Sequence, residues 1–175
     1  RAPHPDACGI LAVSNSRLDP DALRLQTLTL QRLVRHRGPD GSGINVVTPA
    51  KTGLTTAIAH ERLAIVDPLS GNQPLYSADR RLSLSVNGEI YNHKKLRATE
   101  FADTSIFRTE SDCEVIVHLY EKVGDRVASL LDGDFAFVIV DSESGELYAA
   151  RDPIGINSLY MGTGLDGSTW FSSEA

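Results

Sequence analysis

Cys8-Gly9-Ile10-Leu11-Ala12-Val13-Ser14 is a short apolar run that opens on a thiol. A run of this length and character reads as a buried strand. A cysteine at a strand start, this close to the beginning of a chain, is a candidate N-terminal nucleophile if it is the first residue. A free α-amine titrates at about 7.7–8.0, so near neutral pH it takes the thiol's proton and later returns it. An amide nitrogen does neither. Here Arg1-Ala2-Pro3-His4-Pro5-Asp6-Ala7 stand in front of Cys8. Taken alone, Cys8 also reads as a packing residue, because free cysteines are among the most buried residue types.

Working outward, Asp19-Pro20-Asp21 predicts a helix start with the proline near the first helical position. Leu23, Leu28, Leu30, Leu33 and Val34 carry its apolar stripe to about Arg35, and Gly38-Pro39-Asp40-Gly41 breaks it. Strands are expected near Gly43 to Val47 and Leu54 to His60, with a short one from Leu63 to Val66, followed by a loop from Pro68 to Pro74. Leu82-Ser83-Leu84-Ser85-Val86 alternates with period two, a half-buried strand that runs into Asn87-Gly88-Glu89. Ser111-Asp112-Cys113-Glu114 has capping-box spacing. The helix it opens carries Val115, Ile116, Leu119 and Tyr120 inward and stops at Gly124, and a shorter helix covers Asp125 to Leu131. Phe135 to Val140 reads as a strand covered on both faces, Ser142 to Gly145 as its hairpin and Leu147 to Ala150 as its partner. Leu159 to Met161 and Thr169 to Ser172 form one more hairpin. Strands, inserted helices and more strands predict an α+β fold with largely antiparallel sheets.

The composition excludes several classes. The chain has 175 residues, enough for one core, with 41% hydrophobic and 23% charged residues. A net charge of −6 without a basic block argues against nucleic acid and against an anionic membrane as partner. No apolar run reaches the roughly 18 residues of a membrane span, and Arg1 to Ala7 has no apolar signal-peptide core. The expectation is a cytoplasmic protein. The second cysteine, Cys113, lies in a helical pattern and reads as a small buried hydrophobe.

Four polar clusters sit at strand ends or in loops, where sites tend to be built. In His60-Glu61-Arg62-Leu63 the guanidinium fork suits a carboxylate, or is simply a surface charge. In Asn87-Gly88-Glu89-Ile90-Tyr91-Asn92-His93 an Asn amide and a neighbouring N–H can form an oxyanion hole, but Asn-Gly is also a common hairpin turn. Asp112 can bind an ammonium group or complement a helix dipole. Arg35-His36-Arg37-Gly38-Pro39-Asp40 can be a charged helix end, with His36 structural or catalytic. No cluster has zinc spacing, and there is no phosphate-binding or dinucleotide-binding glycine loop.

Together and in this order, these clusters resemble the class II glutamine amidotransferase domain, in the version that forms the glutaminase half of asparagine synthetases. The resemblance also runs through Gly71-Asn72-Gln73-Pro74-Leu75, Ser111-Asp112-Cys113-Glu114-Val115-Ile116, Gly133-Asp134-Phe135-Ala136-Phe137, Ala150-Arg151-Asp152-Pro153-Ile154-Gly155-Ile156 and Phe171-Ser172-Ser173-Glu174. It covers nearly everything after Ala7. The wording Ile90-Tyr91-Asn92-His93 after Asn-Gly looks like the asparagine synthetase version rather than the sugar-phosphate or phosphoribosyl types.

The resemblance implies an N-terminal-nucleophile hydrolase fold, a four-layer αββα sandwich of two mostly antiparallel sheets over residues 8–175. It implies hydrolysis of L-glutamine to glutamate and ammonia. Cys8 would be the nucleophile, the Asn87 side chain and Gly88 N–H the oxyanion hole, and Arg62 the partner of the substrate α-carboxylate. Asp112 with Glu89 would bind its α-ammonium, and backbone groups of Ile65 and Val66 would orient it. No metal or cofactor is implied for this domain; ATP and Mg would serve only a synthetase domain, which is expected to follow in family members and lies outside this chain. The implied partners are glutamine, that synthetase domain or subunit, and a second copy in a homodimer. Residues 1–7 are then an extension or propeptide to be removed. The alternatives are a catalytically silent scaffold with Cys8 blocked, and the glutaminase of another amidotransferase. One departure stands out: Asn157-Ser158 occupies a turn where relatives commonly carry Lys or Arg and then Pro.

Overall fold

The computed structural model describes residues 7–64 and 70–175. Five strands make one antiparallel sheet: β1 (Gly9–Ser16), β2 (Gly41–Val47), β3 (Thr55–Arg62), β8 (Tyr160–Thr163) and β9 (Thr169–Ser172), in the order β2-β3-β1-β9-β8. Four more make a second, also antiparallel: β4 (Leu75–Tyr76), β5 (Leu82–Ile90), β6 (Gly133–Asp141) and β7 (Leu147–Arg151), in sequential order. The helices are α1 (Pro20–Gln31), α2 (His93–Glu100), α3 (Glu114–Val123) and α4 (Val127–Leu130).

Side-chain alternation along each strand sorts these elements into layers. Ile10 and Ala12 of β1 and Ile58 of β3 meet Val138 and Val140 of β6, so the two sheets pack face to face. Leu82, Leu84 and Val86 of β5 and Phe135, Phe137 and Ile139 of β6 turn the other way, onto Leu96, Val115, Ile116, Leu119 and Val127 of the three later helices. On the far side Val13 and Ala57 pack against Leu23 of α1. The result is helix, sheet, sheet, helices: the four-layer α+β sandwich.

Local chemistry accounts for two of the helix ends. Asp19 caps α1, its carboxylate accepting from the amides of Asp21 and Ala22 at 3.1 and 3.0 Å, with Pro20 in the first turn. Gly124 ends α3 at φ +62°, a conformation glycine adopts without penalty. α1 stops at Gln31 and continues as a 3-10 helix through Arg37, tighter than the helix to Arg35 that the leucine spacing predicts.

Several expectations are corrected. β5 is not half-buried: its serine face lies in the seam between the sheets. There Ser85 Oγ bonds His60 Nδ1 at 2.8 Å and Ser83 Oγ accepts from Asn45 Nδ2 at 3.3 Å, so the polar face is buried without being left unpaired. Asn87-Gly88 is not a hairpin turn but lies inside β5. The capping box does not form: Glu114 reaches back to the amides of Arg108 and Thr109, both at 2.8 Å, while Ser111 Oγ accepts from Cys113 N at 3.3 Å. The approaching turn leaves the amides of Arg108 and Thr109 in need of an acceptor, and Glu114 is the one at hand. Leu63 and Ala64 are not strand, and the rest of that expected strand lies outside the described residues. α2 and β4 carry too little apolar pattern to be read; only Leu96 of α2 is buried.

His60 is fully buried, and burial first, then Arg62, lowers its pKa from 6.5 to about 3. The folded state therefore holds it neutral, while the unfolded chain takes up a proton below about 6.5. In the window between those values the unfolded state binds more protons, so stability falls as pH falls, by about 1.4 kcal/mol per pH unit at the limit. Urea melts of the wild type and His60→Asn are expected to converge in stability from pH 6.5 toward pH 4. Parallel curves would show that His60 is not buried neutral.

Candidate active site

The cavity at one end of the sandwich is built from both sheets. Pairing of Gly9 with Glu61 brings Cys8 beside Arg62 and Leu63. In the second sheet Gly88 pairs with Phe135 and Glu89 with Asp134, which sets Asn87, Gly88 and Glu89 across from the thiol. Asp112, just before α3, closes the back. All six sequence-predicted side chains or peptides in the described residues, Cys8, Arg62, Asn87, Gly88, Glu89 and Asp112, line this one cavity of about 140 Å³. Ile65 and Val66 lie outside the described residues.

The thiol is half-buried. Its Sγ lies 3.3 Å from the Leu63 N–H and 3.7 Å from the Leu63 carbonyl. Burial pushes the Cys8 pKa up, while the Leu63 hydrogen bond and the Arg62 and Arg37 guanidinium groups pull against it. The net direction is upward, so at neutral pH the group is a thiol and needs a base to attack anything. Ala7 lines the same cavity.

The cation beside the thiol is fixed. Arg62 is 5% exposed and donates from Nη1 to Asn72 Oδ1 at 2.9 Å. Asp112 is 6% exposed; its Oδ2 accepts from the Ile90 N–H at 2.7 Å and faces the Cys113 thiol at 3.6 Å. Both contacts fall on one oxygen. Glu89 stands exposed at the rim. Asn87, 2% exposed, donates from Nδ2 to Asn157 Oδ1 at 2.9 Å. Gly88 adopts φ +135°, and a Cβ there would sit 1.9 Å from the Asp134 carbonyl oxygen. Only glycine fits at that position.

Other residues carry a part in the site that sequence reasoning did not assign to them. Arg37 is buried and binds the Cys8 carbonyl through Nε at 3.0 Å and Glu174 through Nη1 at 3.1 Å. Asp40 accepts from the Ala64 N–H at 2.9 Å. The charged turn therefore braces the thiol segment, and Gly38 permits it, since a Cβ there would meet the Glu61 carbonyl at 2.3 Å. His36 points away, to Glu174 at 2.9 Å. The Gln73 amide pairs with the Val86 backbone at 2.7 and 3.0 Å, binding the loop wall of the cavity to β5. Alternation and charge spacing carry no trace of these long-range bonds. Cys113 is buried as expected, but its thiol also lines the cavity, 3.5 Å from the Gly88 carbonyl. Among the described residues no group of three His, Cys, Asp or Glu side chains is placed to hold a metal ion.

A sandwich of this kind, with a thiol and an asparagine–glycine pair facing each other across the sheet ends, suits attack on an amide. The chain belongs to the glutamine amidotransferase domain family, whose model matches residues 7–175. It is an enzyme family, and the chain is similar to asparagine synthetases within it. The chain is 52% identical over 167 residues to an asparagine synthetase [glutamine-hydrolyzing] of Triphysaria versicolor, covering 95% of this chain and 27% of that protein. It is 53% identical to asparagine synthetase [glutamine-hydrolyzing] 3 of Arabidopsis thaliana, covering 95% of this chain and 28% of that protein. It is 52% identical to asparagine synthetase [glutamine-hydrolyzing] 2 of Oryza sativa subsp. japonica, with 95% and 27% covered. The chain thus spans a little over a quarter of the length of these relatives.

The two cysteines differ in access. Iodoacetamide is expected to modify Cys8 in the folded protein, faster as pH rises above neutral, and to reach Cys113 only after denaturation. Mass mapping that finds Cys113 labelled first would contradict this geometry.

Proposed function

We propose that this chain hydrolyses L-glutamine to glutamate and ammonia with Cys8, freed as the first residue, as nucleophile. The observation that carries this reading is the meeting of Cys8 and Arg62 from one sheet with Asn87, Gly88 and Asp112 from the other side of one cavity. The Cys8 α-amine takes the thiol proton, and Sγ attacks the side-chain amide carbon of glutamine. The Asn87 amide and the Gly88 N–H receive the oxyanion that forms. The ammonium then returns its proton to the leaving nitrogen, ammonia departs, and water attacks the resulting thioester, with the same amine as base.

Arg62 takes the α-carboxylate through its fork, and Asp112 with Glu89 takes the α-ammonium, a charge pair that fixes the substrate's head while its tail reaches Cys8. Backbone groups of Ile65 and Val66 help orient it. These steps call on no metal or cofactor of this domain. In keeping with its relatives' names, the ammonia feeds an asparagine-forming synthetase domain, where ATP and Mg do their work, in the cytoplasm. Among the described residues no helix is long and apolar enough to cross a membrane.

The test compares protein beginning at Cys8 with protein that keeps Ala7, both assayed for glutamate release, with Cys8→Ala as control. Turnover is expected only from the first. Its kcat/KM should rise with pH through about 7.7–8.0, because the amine acts as base in its neutral form. Equal turnover with Ala7 retained would overturn the amine-as-base mechanism. No turnover from either form would make the chain a silent scaffold. Arg62→Met should raise KM for glutamine by about tenfold or more, the scale of a lost charged hydrogen bond.

A further inference from the structure

We infer that Asn157 is a positioning residue for the oxyanion site: its side-chain oxygen holds the Asn87 amide with one N–H bound and the other aimed into the cavity. This rests on the reading of Asn87 as an oxyanion donor. An asparagine amide has two faces of opposite polarity. Turned one way it offers N–H to a developing oxyanion; turned the other it offers a carbonyl oxygen, which repels it. Something must choose, and the Asn157 acceptor 2.9 Å from Asn87 Nδ2 does so.

The loop that carries Asn157 is itself fixed at both ends, which holds this side chain opposite Asn87. Asp152, 3% exposed, accepts through Oδ1 from the amides of Ile154 at 3.0 Å and Gly155 at 2.7 Å. Its Oδ2 accepts from Ile156 at 3.2 Å and, across to β6, from Phe135 at 3.3 Å. Burial works against the Asp152 charge, but these amides outweigh it and hold the carboxyl below its usual range. At the other end Ser158 Oγ donates to the Ser173 carbonyl at 2.7 Å. Ser173 in turn bonds Ile10 twice, receiving from Ile10 N at 2.9 Å and donating from its own amide to Ile10 O at 3.0 Å. Ile10 lies two residues beyond the thiol. The loop thus bridges the strand that follows Cys8 and the strand that pairs with Asn87. The two residues that depart from the usual turn, Asn157 and Ser158, supply its bonds to Asn87 and to Ser173.

The test is a double-mutant cycle in the full-length protein processed to Cys8, reading kcat and KM for glutamine together with thermal melts. Asn157→Ala and Asn157→Leu are each expected to lower kcat by about tenfold, a fraction of the 10²–10³ that removal of an oxyanion donor costs. KM should stay within about twofold and the melting temperature should barely change. In an Asn87→Ala background the same substitutions should have almost no further effect, because their route is gone. The inference is overturned if the two losses multiply, if KM rises while kcat holds, or if loss of kcat follows loss of stability. If Asn87→Ala itself leaves kcat intact, the underlying reading of Asn87 falls first, an outcome distinct from these.

Discussion

The face-to-face seam between the sheets is the constraint on which everything else depends. Ile10, Ala12, Ile58, Val138 and Val140 interlock there with no more than 1% of any of them exposed. Each such aliphatic side chain larger than alanine contributes about 1.5–3 kcal/mol on burial, and close packing leaves little slack in the spacing. The cavity has one wall from each sheet. The separation of those walls is therefore set first by the seam.

Polar bonds within the seam refine that spacing near the site. His60 and Ser85 join β3 to β5 two residues before Arg62 and two before Asn87. A hydrogen bond in a dry interior costs much to leave unmade, so the strand ends that carry the guanidinium and the amide cannot drift apart cheaply. Arg37 does the same for Cys8 through the peptide carbonyl. The charged groups around the cavity are mostly buried and already bonded, which spares a ligand the reorganisation that mobile charges require.

Much of this was legible in the chain. Period-two alternation located β5, the apolar run located β6, and Asp19-Pro20 marked the start of α1. The candidate residues Cys8, Arg62, Asn87, Gly88 and Asp112 were readable as types suited to amide chemistry, and their order carried the family resemblance. Illegible were features decided by a distant partner. The serines of β5 look solvent-facing until another sheet covers them. Glu114 has the spacing of a cap and instead binds the loop before it. α2 is buried through Leu96 alone, too little to form a pattern.

The sequence by itself determined most of the strand and helix segments and the two hairpins of its last third, because alternation, caps and turn residues act within a few residues. It also determined the chemical inventory of the cavity. Tertiary structure alone decided that residues 8, 62, 87 and 112 share one cavity, and that Asn157 faces Asn87 across 70 positions of chain. Such contacts arise from the packing of two whole sheets, a sum over many weak burials that no single motif encodes.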